Sequence, residues 1–278
     1  MMWKYLAQTW TAAMMLSLAT APAANAASNE PIRLGSVAMD IPAVMDKRLT
    51  PLTNYLSEAL GRRVILTLSP NMSTAIGEIV EGNVDLAYLT PVAYVNSRAK
   101  GDTRVVVKVV TNGQGSFQLM IVVREDSPIR TVADLAGRSF AFGDKGALLQ
   151  RAVVVGAGMP LDKLGTHDFL GHYDNIVRSV LHRNFDAGIL VDSAALRWQG
   201  KGIRILHRSA PLPPYNITAS SKLDPAIMAR VQEALLKLDP QNPEHLPIIK
   251  ALDDTCTGFA PTSDAEYDVI RQLIKPFR

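Results

Sequence analysis

The chain has 278 residues, 47% of them hydrophobic and 20% charged, with a formal net charge of +3. That is enough length and apolar content for one large packed domain or two ordinary ones, and so small a charge excludes a general polyanion partner such as nucleic acid. The single cysteine, Cys256, excludes an internal disulfide and is expected to be a buried, inert thiol.

The first segment, "MMWKYLAQTWTAAMMLSLATAPAANA", carries Lys4, an apolar stretch ending near Ala19, and Ala24-Asn25-Ala26. A basic start, a hydrophobic run and a small-x-small site read as a secretory signal peptide over 1–26, with the mature chain starting near Ala27. The run carries Thr and Ser and is short for a membrane span of ~20 residues. No Cys follows the cleavage site for a lipid anchor, so the product is expected to be soluble and exported.

Strands and helices then alternate. "IRLGSVAM" reads as a strand, and "PAVMDKRLTPLTNYLSEALG" as a helix with Val44, Leu49, Leu52, Tyr55, Leu56 and Leu60 at helical spacing and Gly61 as its stop. "RVILTLS" is a strand. "STAIGEIVEG" is a short helix capped by Ser73 or Thr74 and closed by Gly82. "VDLAYLT" is a strand, and "PVAYVNSRAKG" a helix with Pro91 in its first turn. "TRVVVKVVT" and "FQLMIVVRE" are strands. This rhythm predicts a mostly parallel sheet with helices on both faces.

A second set starts near Asp126. "SPIRTVADLAG" reads as a short helix, "SFAF" as a strand, and the chain from about Ala147 as a helix. "THDFLG" is a strand and "YDNIVRSVLHRN" a helix. "DAGILV" and "GIRILHR" are strands around a helix at "SAALRWQG". The bend "APLPPY" leads to a strand at "NITASS". "DPAIMARVQEALLKLD" is an amphipathic helix with Asp224 as cap and Pro225 at its first turn, and the tail is helical. No repeat or low-complexity linker separates the sets. The expectation is therefore two α/β lobes joined by strands crossing near 115–125 and 207–217: lobe 1 over 27–120, lobe 2 over 121–212, and a return to lobe 1 over 213–278.

Enzyme motifs are missing. The sequence contains no G-x-S-x-G elbow, P-loop, G-x-G-x-x-G or H-E-x-x-H. Histidines 167, 172, 182, 207 and 245 make no metal-ligand spacing with carboxylates or the cysteine. Scattered Lys and Arg do not make a nucleic-acid footprint. Neither an enzyme nor a cofactor is expected.

"GNVDLAYLTPVAYV", "REDSPIRTVADLAGRSFAFGD" and "DAGILVDS" together resemble the periplasmic phosphate/phosphite/phosphonate-binding proteins of ABC transporters, over nearly the whole mature chain. The resemblance implies the type II periplasmic binding protein fold, with two α/β lobes, a hinge and an interlobe ligand cleft. It implies a periplasmic, monomeric protein that hands a small oxyanion-like solute to an inner-membrane ABC permease; the alternative is a sensor component signalling to a membrane histidine kinase.

Ligands of open α/β sheets sit beyond the carboxyl ends of the strands. The candidate turns are therefore 38–41, 88–91, 143–147, 170–174 and 191–193, and the candidate residues Met39, Tyr88, Thr90, Tyr94, Asp144, Lys145, Gly146, His172 and Asp192. Each has a plainer alternative. Tyr88 and Tyr94 are either ligand contacts or core and rim aromatics, and Thr90 either touches ligand or caps a helix. The resemblance implies that His172, in "GHYDN", offers its side chain to the oxyanion. Asp192, where the family carries acidic residues, either accepts a proton from the ligand or caps a helix. Where the family has a Ser-Thr-Ser-Gly run, this chain has Ala147, Leu148, Leu149 and Gln150. The hydroxyls are lost, the backbone N–H groups are expected to remain as anion donors, and Lys145 offers a point charge. Weak binding of simple phosphonates is the expectation.

Overall fold

The computed structural model describes residues 30–37 and 42–278. The signal-peptide reading of 1–26 and the candidate Met39 fall outside the described residues.

The first lobe starts with β1 (Ile32–Val37), α1 (Pro42–Leu60), β2 (Val64–Ser69), α2 (Met72–Glu81), β3 (Leu86–Leu89), α3 (Pro91–Lys100) and β4 (Arg104–Thr111). Helix α1 buries Leu49, Leu52, Leu56 and Leu60 of the expected face together with Met45, while Val44 and Tyr55 are half-buried at its edges. Helix α2 is capped by Asn71, whose side chain accepts the Thr74 N–H at 2.9 Å, not by Ser73 or Thr74 themselves. Gly82 closes it at φ +74°, a left-handed conformation that favours glycine.

The second lobe holds β5 (Leu119–Arg124), β6 (Ser139–Phe142), α4 (Leu148–Gly156), β7 (Thr166–Phe169), α5 (Tyr173–Leu181), β8 (Ala187–Val191), α6 (Asp192–Trp198) and β9 (Ile203–Arg208). The expected helix at "SPIRTVADLAG" is only a 3-10 turn over Val132–Leu135, because Asp134 folds back to accept the Arg130 and Thr131 N–H groups at 2.9 and 2.8 Å. The chain then returns through β10 (Asn216–Ala219), α7 (Pro225–Leu236), α8 (Leu246–Leu252), β11 (Cys256–Ala260) and α9 (Asp268–Ile274).

The strands order as β11-β4-β10-β3-β1-β2 in one sheet and β7-β6-β8-β5-β9 in the other. Both are mixed rather than mostly parallel. Strands β1, β2 and β3 are parallel, as are β7, β6 and β8, but β10 and β11 run antiparallel to their neighbours, and β5 runs antiparallel to both β8 and β9. The reversed strands β5 and β10 are the ones through which the chain enters a sheet from the other lobe. Arrival from outside reverses their direction, and alternation of apolar residues carries no record of it.

Two segments cross between the sheets, 112–118 and 209–215, and they pair. The Phe117 N–H donates to the Leu212 carbonyl at 3.0 Å and the Leu212 N–H to the Phe117 carbonyl at 2.8 Å. Asp192 pins the first crossing by accepting the Gln118 N–H at 2.9 Å, and the Gln118 side chain donates to the Ser209 carbonyl of the second at 2.6 Å. A short bridge of this kind holds two lobes in register while leaving few bonds to bend.

One hydrophobic cluster joins α1, α7 and α8 to the first sheet, with Leu34, Leu52, Val107, Ile217 and Leu235 at its centre. A second joins α3, α4 and α9 to β5 and β6 through Tyr94, Ile121, Phe140, Val153 and Ile270. A third lies on the opposite face of the second sheet, under α5 and α6. Helix α9 thus packs against α3 of the first lobe and α4 of the second.

Candidate functional site

Three tyrosines converge where the lobes face each other. Tyr88 stands at the carboxyl end of β3, and Tyr215 ends the second crossing, its carbonyl accepting the Val109 N–H of β4 at 2.8 Å. Their rings stack at 5.2 Å between centroids and 20° between planes. Tyr173, the first residue of α5, faces Tyr215 from the second lobe closely enough to disfavour its ionisation, as does Asp144. Burial pushes the phenol pKa up for all three, most strongly at Tyr88. They stay protonated in ordinary conditions and can donate hydrogen bonds.

Beside the stack lies a cavity of about 260 Å³, lined by the two tyrosines with Met45, Leu49, Val109 and Leu252 as apolar wall. Arg48 and Asp253 bring opposite charges to its lining, and Cys256 closes one side. The cysteine is buried, as expected, and burial holds its thiol above its ordinary pKa and so unreactive.

Tyr88 lines this cavity. Thr90 acts as a cap, its hydroxyl oxygen accepting the Ala93 N–H at 3.1 Å. Tyr94 lies elsewhere. It is 1% exposed, packs edge-on against Tyr267 at 4.6 Å, and donates its hydroxyl to Asp264 at 2.6 Å, so it fastens α3 to the C-terminal segment instead of facing the cleft. Burial alone would raise the Asp264 carboxyl pKa; the Tyr94 hydroxyl and the Arg271 guanidinium outweigh it and bring it below its usual value.

Asp144, Lys145, Gly146 and His172 stand exposed on two turns that follow the neighbouring parallel strands β6 and β7. The Gly171 N–H donates to the Gly143 carbonyl at 3.1 Å and laces those turns together. His172 precedes the first residue of α5 without capping it by its side chain. Asp192 is spent on the hinge, its carboxylate taking the Ser193 N–H at 2.7 Å besides that of Gln118.

The 143–150 loop departs most from expectation. Several of its N–H groups are turned inward and not left pointing at a ligand. Gly146 donates to Asp144 Oδ1 at 2.5 Å, Ala147 to the Asp144 carbonyl at 3.0 Å and Leu148 to the Gly146 carbonyl at 2.9 Å. Gly143 donates to Gln150 Oε1 at 2.7 Å. Four donors that sequence alone leaves open are satisfied within the loop, two by the Asp144 and Gln150 side chains turning back on it and two by backbone carbonyls of its own tight turn.

The family model for the ABC-transporter phosphonate periplasmic substrate-binding protein matches residues 34–267. The chain belongs to that family. Its members are periplasmic substrate-binding components of ABC transporters and not enzymes. The phosphate-import protein PhnD of Mycolicibacterium smegmatis is 22% identical over 272 residues, covering 88% of this chain and 85% of that protein. XAC2383 from Xanthomonas citri, solved bound to ATP, has a TM-score of 0.71 at 22% identity, covering 87% of this chain and 94% of its own. PhnD1 from Prochlorococcus marinus, solved in complex with methylphosphonate, has a TM-score of 0.69 at 17% identity, covering 90% of this chain and 98% of its own. These likenesses fix the fold as type II periplasmic binding protein. At the loop where the resemblance implies a Ser-Thr-Ser-Gly run, this chain carries Ala147, Leu148, Leu149 and Gln150.

Proposed function

We propose that the chain captures a small organic oxyanion between its lobes, at Tyr88, Tyr173 and Tyr215, and delivers it to an inner-membrane ABC permease. The observation that carries this reading is the convergence of three protonated phenols from both lobes and the hinge beside a cavity of about 260 Å³. Phenol O–H groups serve an anion, and the apolar wall of Met45, Leu49, Val109 and Leu252 serves an organic arm. The relatives solved or named with phosphate, methylphosphonate and ATP all handle oxyanions, which supports the ligand class. Lys145 and His172 stand exposed on adjoining turns of the second lobe, and Asp144 faces Tyr215. Export through the 1–26 signal peptide and action as a monomer complete the proposal.

The test is a thermal-shift panel of alkanesulfonates, alkylphosphonates, short carboxylates, inorganic phosphate and nucleotides. A ligand at 100 times its dissociation constant adds ~2.7 kcal/mol, which should raise the melting temperature by roughly 5–10 °C in a chain of this size. At least one organic oxyanion is expected to do so. A panel without any shift would count against oxyanion capture.

A further inference from the structure

We infer that Gln150 sets which oxyanions this site accepts, by holding its own carboxamide where a ligand oxygen would otherwise meet the loop. This rests on the solute-capture reading above. Gln150 is 5% exposed, an unusual place for a long amide. Its Oε1 accepts the Gly143 N–H at 2.7 Å, and its Nε2 reaches the Tyr173 hydroxyl at 3.5 Å. The carboxamide thus bridges the loop donor and one of the three phenols, on the path an anion would take between them. Gly143 makes room for it, since a Cβ there would come within 2.8 Å of Gln150 Nε2.

The electrostatic consequence is selective. A doubly charged tetrahedral anion needs many donors at once, and four of the loop's N–H groups, those of Gly143, Gly146, Ala147 and Leu148, are already engaged. What remains near the phenols is the Gln150 amide N–H and the phenol O–H groups, with Arg48 in the cavity lining opposed by Asp253. A few neutral donors and one cation offset by a carboxylate suit a singly charged group, such as a sulfonate or carboxylate, whose desolvation is less costly. An apolar arm on that group would lie in the cavity beside Tyr88 and Tyr215. The inferred class is therefore a singly charged organic oxyanion, with Gln150 as the residue that rejects dianions.

The experiment uses methanesulfonate and methylphosphonate as probes, near-identical in shape and different in charge above neutral pH. Calorimetric titrations at pH about 8.5 compare the wild type with Gln150→Ser, which opens the Gly143 N–H and adds a hydroxyl. Gln150→Met keeps the side-chain length but cannot accept the bond, and it carries the test if the serine variant does not fold. The wild type is expected to favour methanesulfonate. Gln150→Ser should gain at least ten-fold in methylphosphonate affinity and reverse the preference, and Gln150→Met should move part of the way. A wild type that prefers methylphosphonate, or variants that keep the wild-type ratio, would overturn the inference. Undetectable binding of both probes by all three proteins would overturn it too, since opening the loop would then create no anion site. Solute capture itself is judged separately, by the ligand panel.

Discussion

Replacing Tyr215 with alanine should abolish ligand-dependent stabilisation and also lower the stability of the unliganded protein by about 3 kcal/mol. Both effects follow from one ring. Tyr215 stacks on Tyr88 at 5.2 Å, lines the cavity, and ends the crossing that carries the chain from β9 back to β10. Removing a buried aromatic ring costs about 3–5 kcal/mol in a core, and the partial exposure of Tyr215 puts it at the low end. Tyr215→Phe separates the two roles. It keeps the stack and removes only the O–H, so it should cost much less stability than Tyr215→Ala while affinity falls about ten-fold, the equivalent of one hydrogen bond near 1.4 kcal/mol. Denaturant melts report the first quantity, and titration with the best panel ligand reports the second. If Tyr215→Ala bound that ligand as tightly as the wild type, the tyrosine wall would not be the site.

A second large effect is expected far from any ligand atom. Gly188 lies in β8 directly under α5, and a Cβ there would come within 2.4 Å of Ile176 Cγ2 and 3.2 Å of the Ala141 carbonyl oxygen. Gly188→Val must therefore push α5 off the sheet. Overpacking of this kind costs about 1–3 kcal/mol. The same displacement moves Tyr173, the first residue of α5, relative to Tyr215 and Gln150. The expected result is a lower melting temperature together with a loss of ligand affinity several times larger than an equally destabilising substitution in the first lobe produces. Loss of stability with unchanged affinity would show that α5 does not position the site.

Much of the fold is legible in the residues. Helix α1 announces itself through Leu49, Leu52, Leu56 and Leu60, and α7 through Asp224 and Pro225 at its start. Strand β11 was hidden inside an expected helical tail because "CTGFA" is short and contains Gly258, whose φ of +132° breaks the regular pattern. Strand direction was hidden altogether, since pairing partners such as β10 and β3 lie more than a hundred residues apart.

The candidate site was legible only in part. Tyr88 sits at a strand end, where position alone points to ligand. Tyr215 looked like the end of a proline bend, and only the return of the chain beside β4 makes it a wall. Tyr173 stood next to His172 in "GHYDN", and the histidine drew the attention that the phenol warranted. At Gln150 the sequence showed the end of a loop that lacks the hydroxyls the resemblance implies, which was half the physics. The other half is that a glutamine seven residues beyond Gly143 is long enough to fold back and take its N–H. Tyr94 misled for the opposite reason: a helix residue one turn past a strand end can face the core as readily as the cleft.

The most direct test of capture at the tyrosine wall is a crystal structure of the protein with the panel ligand that stabilises it most. The anionic group should lie within hydrogen-bond distance of the Tyr88, Tyr173 or Tyr215 hydroxyls, with any organic arm against Met45, Leu49, Val109 or Leu252. Ligand density at another place, with the three phenols untouched, would contradict the account.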